Sequence, residues 1–583
     1  MTSKLYKKGK IALLVYIIPI SLIILLCSYR LGEHGYPIIY GDEYGYWAAG
    51  SYYAGLHWEE ITSINPYYGY GYGILLSLIL RMCNTPIMAY KIALYINVLF
   101  VSIMYVLVLQ CERIIIKLSQ QEVGRVVQTL MAMMVVCYSS TLQYVHYTMA
   151  EIPVYLVTWI GIYAVLKYLE QDSYKNIFIL IIISAGFIAI HMRNIGFLLT
   201  VLLFVTYTQI RKREYKKIML IFLIGVISLL GVVGFKKLYT GQYYITISGI
   251  QRSEANEMSG IVSKLLIPWK ISAVKQIVIS ICGKLYYMVI ATYGIGVISL
   301  FISAKAMLKI LFNKKMTQYE LFLVFSLLYM GSMLLISCIY MNDYSTRFDL
   351  FLYGRYFENT IPVLMLLGML TVVGNKKRIG TEQLFLMLCF VLLISKIAEI
   401  NQDYSLPKGN VFINMTPVAA VLENNQFQKG TYGILGIGVC IVILLLYLLG
   451  SGAINKIYRN VLAIIILCGV FWWEVLSAKY VLDNGFYSWA VKENESEMAL
   501  VDIIQDRGIE DELYFFPDGY VLSADGLQFL LRGSTIHVTD TLEEDREYVL
   551  TSTKASNENS MEMYGYETIG ESQRLRLWQK KIR

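Results

Sequence analysis

The chain has 583 residues, of which 57% are hydrophobic and only 16% charged, and its mean hydropathy is +0.54. A soluble domain carries about 25% charged residues, so this composition excludes an ordinary water-soluble protein, which would lack the polar surface to cover itself. The net charge of +8 does not call for a nucleic-acid partner, because most basic residues sit in short clusters between apolar runs, where membrane topology uses them.

The first element is an apolar run from Ile11 to Cys27, preceded by Lys4, Lys7, Lys8 and Lys10. It resembles a signal peptide, but it is long and lacks a small-residue cleavage site, so we expect an uncleaved first span. A span needs roughly 20 mostly apolar residues, and about thirteen such stretches occur. They lie near 9–29, 85–110, 124–141, 150–168, 176–191, 194–210, 217–238, 287–312, 319–341, 356–374, 381–399, 431–450 and 456–478. The expected fold class is therefore an α-helical polytopic membrane protein, with a membrane domain over 1–478. With the N-terminus inside, the inner connections hold Arg113, Lys117 and Arg125; Lys167 and Lys175; Arg211 to Lys217; Lys305 to Lys315; Lys376 to Arg378; and Lys456 with Arg459. That is the positive-inside pattern, and an odd span count then places the C-terminus outside.

The outer connections are different. Three long ones, 30–84, 239–286 and 400–430, mix acids, aromatics, glycines and prolines. Long loops are uncommon unless functional or disordered, and these are too aromatic for disorder. From 479 to 583 the chain reads as a small soluble α/β domain: a helix over 497–505, a strand at 512–516, a helix over 524–531, and strands near 534–538, 547–552 and 572–578. The nine cysteines are scattered, none lies in this domain and no CxxC pair occurs. We expect no disulfide framework and no zinc site.

Ionisable residues collect at the outer edge. Asp42 and Glu43 lie in Tyr40-Gly-Asp-Glu-Tyr-Gly-Tyr-Trp47, Glu151 opens a span, and His191 and Arg193 share a tight turn. Arg252 lies in the 239–286 loop, and Arg347, Asp349, Arg355 and Glu358 crowd the start of a late span. Charge at that depth is expensive and often functional. Carboxylates take protons from attacking hydroxyls, arginines grip phosphate bidentately, and aromatic faces pack on sugar rings. Each residue also has a structural reading. Asp42 fits a helix N-cap, Glu43 a first helical turn, and Glu151 a helix start. Arg193 and Arg347 fit interfacial anchors, the tyrosines an aromatic belt, and His34, His146 and His191 lack ligand spacing. Asn414-Met-Thr and Asn494-Glu-Ser are glycosylation sequons by pattern alone.

These features resemble the GT-C superfamily of membrane glycosyltransferases, which includes protein O-mannosyltransferases and the lipid A aminoarabinose transferase. Gly41-Asp42-Glu43-Tyr44 matches the family's acidic motif in the first outer loop, and Asn65-Pro66-Tyr67-Tyr68 fits its proline- and aromatic-rich stretch. Glu151 matches its later acid and Gly354-Arg355-Tyr356 its Arg-Tyr pair. The chain departs from the oligosaccharyltransferase branch in having no WWD-type motif in the outer domain. The resemblance implies an inverting transfer of sugar from a polyprenyl-phosphate donor to an acceptor hydroxyl on a glycan, lipid or protein. Asp42 would be the base, with Glu43 or Glu151 supporting it. Arg355, with Arg193, Arg252 or Arg347, would hold the phosphate. Tyr44, Tyr67, Tyr68, Tyr356, Glu358 and His191 would line the substrate site. A divalent cation is the one cofactor these acids leave open, and no Asp-x-Asp motif is present to hold it. Two other classes remain at this stage, a transporter or flippase of lipid-linked saccharide and a non-catalytic assembly protein. Neither accounts as well for charge gathered at one membrane edge without an internal repeat.

Overall fold

In a computed structural model, residues 13–33, 35–37, 40–64, 69–245, 271–312, 314–341, 345–374, 379–424, 428–450, 456–517, 524–542, 546–554 and 558–581 are described. Among them, nine helices are long and apolar enough to cross a membrane, and five shorter apolar helices accompany them. The protein is a multi-pass membrane protein. Its helices differ in environment. Glu151–Glu170 is the most enclosed, with 78% of its apolar window buried, whereas Tyr215–Tyr243 has 17% and turns most of its Leu, Ile and Phe side chains to lipid.

Local chemistry sets the helix ends. Thr85 caps Pro86–Ser119 by accepting from the Met88 amide at 3.3 Å, with Pro86 in the first turn where no amide is needed. Thr317 and Glu320 form a reciprocal capping box on Gln318–Tyr340, at 3.2 and 2.9 Å. Basic clusters tie helix ends together at one membrane level. Lys117 reaches Glu170 at 2.7 Å, Lys212 reaches Asp172 at 2.5 Å, and Lys309 pairs with Glu320.

The long loops turn out to be largely helical. The 30–84 stretch holds helices Tyr40–Ala54, Glu59–Ser63 and Tyr70–Met82. The 400–430 stretch holds Val411–Asn414 and Thr416–Asn424. Helical structure also enters both ends of 239–286, through Tyr215–Tyr243 and Ile271–Ala291. The latter bends at Thr292–Gly294, where Tyr293 and Gly294 take left-handed backbone angles, and continues as Ile295–Leu311. Lys284 bonds the carbonyl of Met341 at 3.0 Å, and Lys309 pairs with Glu320. The bent pair therefore runs once alongside Gln318–Tyr340, and its first helix, Ile271–Ala291, takes in residues that apolar length assigns to the outer connection 239–286.

The last membrane helix, Lys456–Val481, passes through a π-turn at Leu482–Phe486 into helix Tyr487–Arg507, which carries the C-terminal domain. The domain's strands are β1 (Leu513–Phe516), β2 (His537–Val538), β3 (Tyr548–Ser552), β4 (Tyr566–Glu571) and β5 (Leu575–Lys580). They form one sheet in the order β2-β1-β3-β5-β4. β1 runs parallel to β2 and β3, while β5 is antiparallel to β3 and β4. The α/β expectation holds, although β4 and the N-terminal half of helix Tyr487–Arg507 were not anticipated. The domain is seated on the membrane part through specific bonds. Glu60 accepts from His537 at 2.8 Å and from the Val538 amide at 2.6 Å, and Trp58 donates to the Arg532 carbonyl at 3.0 Å.

Candidate active site

The Tyr40–Ala54 helix carries Asp42 in its first turn and packs tightly against Tyr70–Met82. A Cβ on Gly73 would lie 2.8 Å from that of Ala49, and one on Gly50 would lie 2.7 Å from the Gly73 carbonyl. Glu43 fixes this helix from its other side. It is fully buried and accepts from the Thr148 amide at 2.7 Å, the Thr148 hydroxyl at 2.8 Å and the Tyr90 hydroxyl at 2.9 Å. The adjacent carboxylates thus point to different jobs, because successive helical residues face about 100° apart.

Asp42, unlike Glu43, reaches the Arg355 guanidinium, with Oδ2 accepting from Nη1 at 2.6 Å. Arg355 also donates through Nε to Glu151 at 2.7 Å. Glu151 opens its helix with a side chain 1% exposed, and Arg193 lies 3.5 Å from the same oxygen, itself 1% exposed. The result is a row of alternating charge, Asp42–Arg355–Glu151–Arg193, graded from a partly open carboxylate to a sealed guanidinium. Burial on this scale is tolerable only because each charge is paired. The Arg193 guanidinium stacks over Tyr356 at 5.4 Å, and His191 meets the same ring edge-on at 6.0 Å. Burial, with the guanidiniums of Arg193 and Arg355 nearby, pushes the His191 pKa well below the ordinary histidine value.

This row borders a polar cavity of about 230 Å³, lined among others by Asp42, His191, Arg347, Tyr353, Arg355 and Tyr356. Arg347, on the same cavity, is held bidentately by Asp349 at 3.0 and 2.6 Å. Asp349 in turn accepts from the Asn410 amide at 3.1 Å and from Asn414 Nδ2 at 2.6 Å. Among the described residues, no cluster of three His, Cys, Asp or Glu side chains is placed to hold a metal ion.

Of the residues singled out from sequence, Asp42, Arg355, Arg347, Tyr356 and His191 line this cavity, with Glu151 and Arg193 behind them. Three belong elsewhere. Glu43 faces Thr148 and Tyr90, and is not among the cavity's lining residues. Tyr44 is buried and stacks on Trp58 at 5.8 Å beneath the C-terminal domain, so it does not contact the cavity. Glu358 is enclosed below the site, where Ser140 and Tyr144 donate at 2.8 Å, Tyr155 at 3.3 Å, and Tyr287 also donates. It is not among the residues that line the cavity. Arg252, Tyr67 and Tyr68 lie outside the described residues. Asn410, Asn414 and Tyr353 were missed as cavity residues. Asn414 registered only as a sequon, yet it is 3% exposed and bonded to Asp349. No sequence pattern distinguishes it.

No protein-family model matches the chain, and no curated protein does. Among solved structures, the fold is similar to that of ArnT from Cupriavidus metallidurans. In the crystal structure of ArnT bound to undecaprenyl phosphate the TM-score is 0.51 at 10% identity, covering 96% of this chain and 97% of that one. The apo state of the same protein gives 0.49 at the same identity and coverage. The chain therefore shares the overall fold of ArnT, in line with the fold expected from its acidic loop and Arg-Tyr pair. The likeness to ArnT runs along nearly the whole of both chains.

Proposed function

We propose that this protein is a membrane glycosyltransferase that moves a sugar from a polyprenyl-phosphate donor to an acceptor hydroxyl at the outer membrane face, with inversion. The observation that carries this reading is the pairing of Asp42 with Arg355 at the rim of one polar cavity. The fold shared with a structure holding undecaprenyl phosphate supports it.

The chemistry follows from the arrangement. The acceptor oxygen forms a bond to the anomeric carbon as the bond from that carbon to the phosphate oxygen breaks. The acceptor's proton passes to Asp42, and the negative charge on the departing phosphate is met by Arg355, with Arg347 lining the same cavity. Glu151 and Arg193 stay sealed behind and hold Arg355 in place. A phosphate that reaches Arg355 competes with Asp42 for Nη1, while Glu151 keeps Nε. Donor binding thereby releases the carboxylate that the reaction needs, and the guanidinium fork matches phosphate oxygens bidentately.

The test is Asp42→Asn in the purified full-length protein, assayed with a polyprenyl-phosphate sugar and envelope acceptor. General-base loss costs about 10²–10⁴ in rate, so turnover should fall at least a hundredfold while donor still binds. Full transfer activity at equal protein level would end this assignment. Mass spectrometry of envelope glycans with and without the gene would identify the sugar and the acceptor.

A further inference from the structure

A second cavity, of about 370 Å³, lies at the far ends of the helices that carry Glu151 and Arg193, and Leu169, Arg211, Lys212, Lys315, Met316 and Leu321 line it. From 151 to 169, and again from 193 to 211, the chain rises about 27 Å at 1.5 Å per residue. That nearly matches a hydrocarbon core of about 30 Å, so this cavity sits at the opposite membrane interface from the candidate active site.

Its charge is unbalanced. Lys212 and Lys217 share Asp172, at 2.5 and 3.3 Å. Among the described residues, Arg211 donates to neutral oxygens, the Tyr207 hydroxyl at 3.2 Å and the Lys314 carbonyl at 3.3 Å. Among the described residues, no carboxylate pairs with Arg211 or Lys315. One acid therefore pairs two of the four cations, and the other two, Arg211 and Lys315, face the cavity without a carboxylate partner among the described residues. A topological signal needs only basic residues near the helix ends; it does not need them to converge on a cavity. The apolar side chains of Leu169, Met316 and Leu321 line the same cavity, alongside Tyr168, Thr208 and Gln318.

We propose that this cavity binds the headgroup phosphate of an anionic glycerophospholipid from the leaflet opposite the transfer site. Arg211, Lys212 and Lys315 meet the phosphate, and the apolar wall receives the lipid backbone. A free phosphate ion would satisfy the cations but leave that wall unused. The site is remote from Asp42, so it stands or falls independently of the transferase reading.

The experiment is native mass spectrometry of the full-length protein in micelles, titrated with dioleoyl-phosphatidylglycerol, dioleoyl-phosphatidylcholine or inorganic phosphate. Phosphatidylglycerol should be retained at least tenfold more tightly than phosphatidylcholine. With about 1 kcal/mol per basic residue near anionic lipid, Arg211→Gln/Lys315→Gln should weaken retention about thirtyfold. Lys305→Gln, an exposed cation at the same membrane level but outside the cavity, should change nothing. Lys315→Glu lies on an exposed link between helices, so it tests the site without loading the fold and should weaken retention to a similar extent. Equal retention by wild type and the cavity variants would overturn the proposal. Displacement of phosphatidylglycerol by equimolar inorganic phosphate would reassign the cavity to a free anion and overturn it as well.

Discussion

At the scale of single residues, the two carboxylates of the Asp42–Glu43 pair are separated by what surrounds them. Asp42 is about a third exposed and bonded to one guanidinium, whereas Glu43 is sealed among neutral donors. Glu43→Gln should therefore fold and keep much of the activity, since an amide still accepts from Thr148, in contrast to Asp42→Asn. Arg355→Lys keeps the charge but cannot serve Asp42 and Glu151 from separate nitrogens. We expect a donor KM raised tenfold or more with a smaller change in kcat, read from initial rates against donor concentration. His191 offers a pH test. With its pKa held well below the usual value it stays neutral near pH 7, so it adds no titration step there. His191→Asn should leave the shape of the pH–rate profile between pH 6 and 8 unchanged, even if the rate itself falls.

At the scale of elements, the close seam between Tyr40–Ala54 and Tyr70–Met82 decides where Asp42 stands. Gly73→Leu forces the helices apart, because even a Cβ there comes within 2.8 Å of Ala49. Overpacking of this kind costs typically 1–3 kcal/mol. The expected readout is a lowered Tm together with a transfer rate reduced well beyond the loss of folded protein, as Asp42 moves off Arg355. The floor beneath the site behaves differently. Glu358 is the common acceptor for Ser140, Tyr144 and Tyr155. Glu358→Leu removes the acceptor of Ser140 and Tyr155, while Tyr144 keeps the Ile413 carbonyl at 2.8 Å, at a cost of about 1–3 kcal/mol for an unsatisfied buried group. Thermal unfolding should drop more steeply for this variant than for Glu358→Gln.

At the scale of the whole molecule, the C-terminal domain is a cap seated on the helices that carry the site. Arg532 donates to the carbonyls of Leu80 and Cys83, at the end of the Tyr70–Met82 helix, while Glu60 holds His537 and Val538. Arg532→Ala should loosen this seat and speed limited proteolysis near the Leu482–Phe486 turn. The positive-inside reading also makes a whole-chain prediction. A cysteine placed at exposed Lys554 should react with a membrane-impermeant maleimide in intact cells, and one at exposed Lys315 only after permeabilisation. The opposite pattern would invert the topology and with it the face assigned to the chemistry.

The sequence by itself determined the membrane class, the approximate spans, the soluble α/β tail and the convergence of Asp42, Glu151 and Arg355 on one level. It does so because apolar length, basic clustering and strand punctuation are local properties, readable without knowing what packs against what. Local properties could not separate Asp42 from Glu43, lift Tyr44 and Glu358 out of the substrate wall, or recognise Asn414 behind a glycosylation pattern. Those assignments depend on which way a side chain turns and who meets it from 100 or 300 residues away, as Thr148 meets Glu43 and Arg355 meets Asp42. Only tertiary packing fixes that, because a buried carboxylate takes its role from the donors that enclose it.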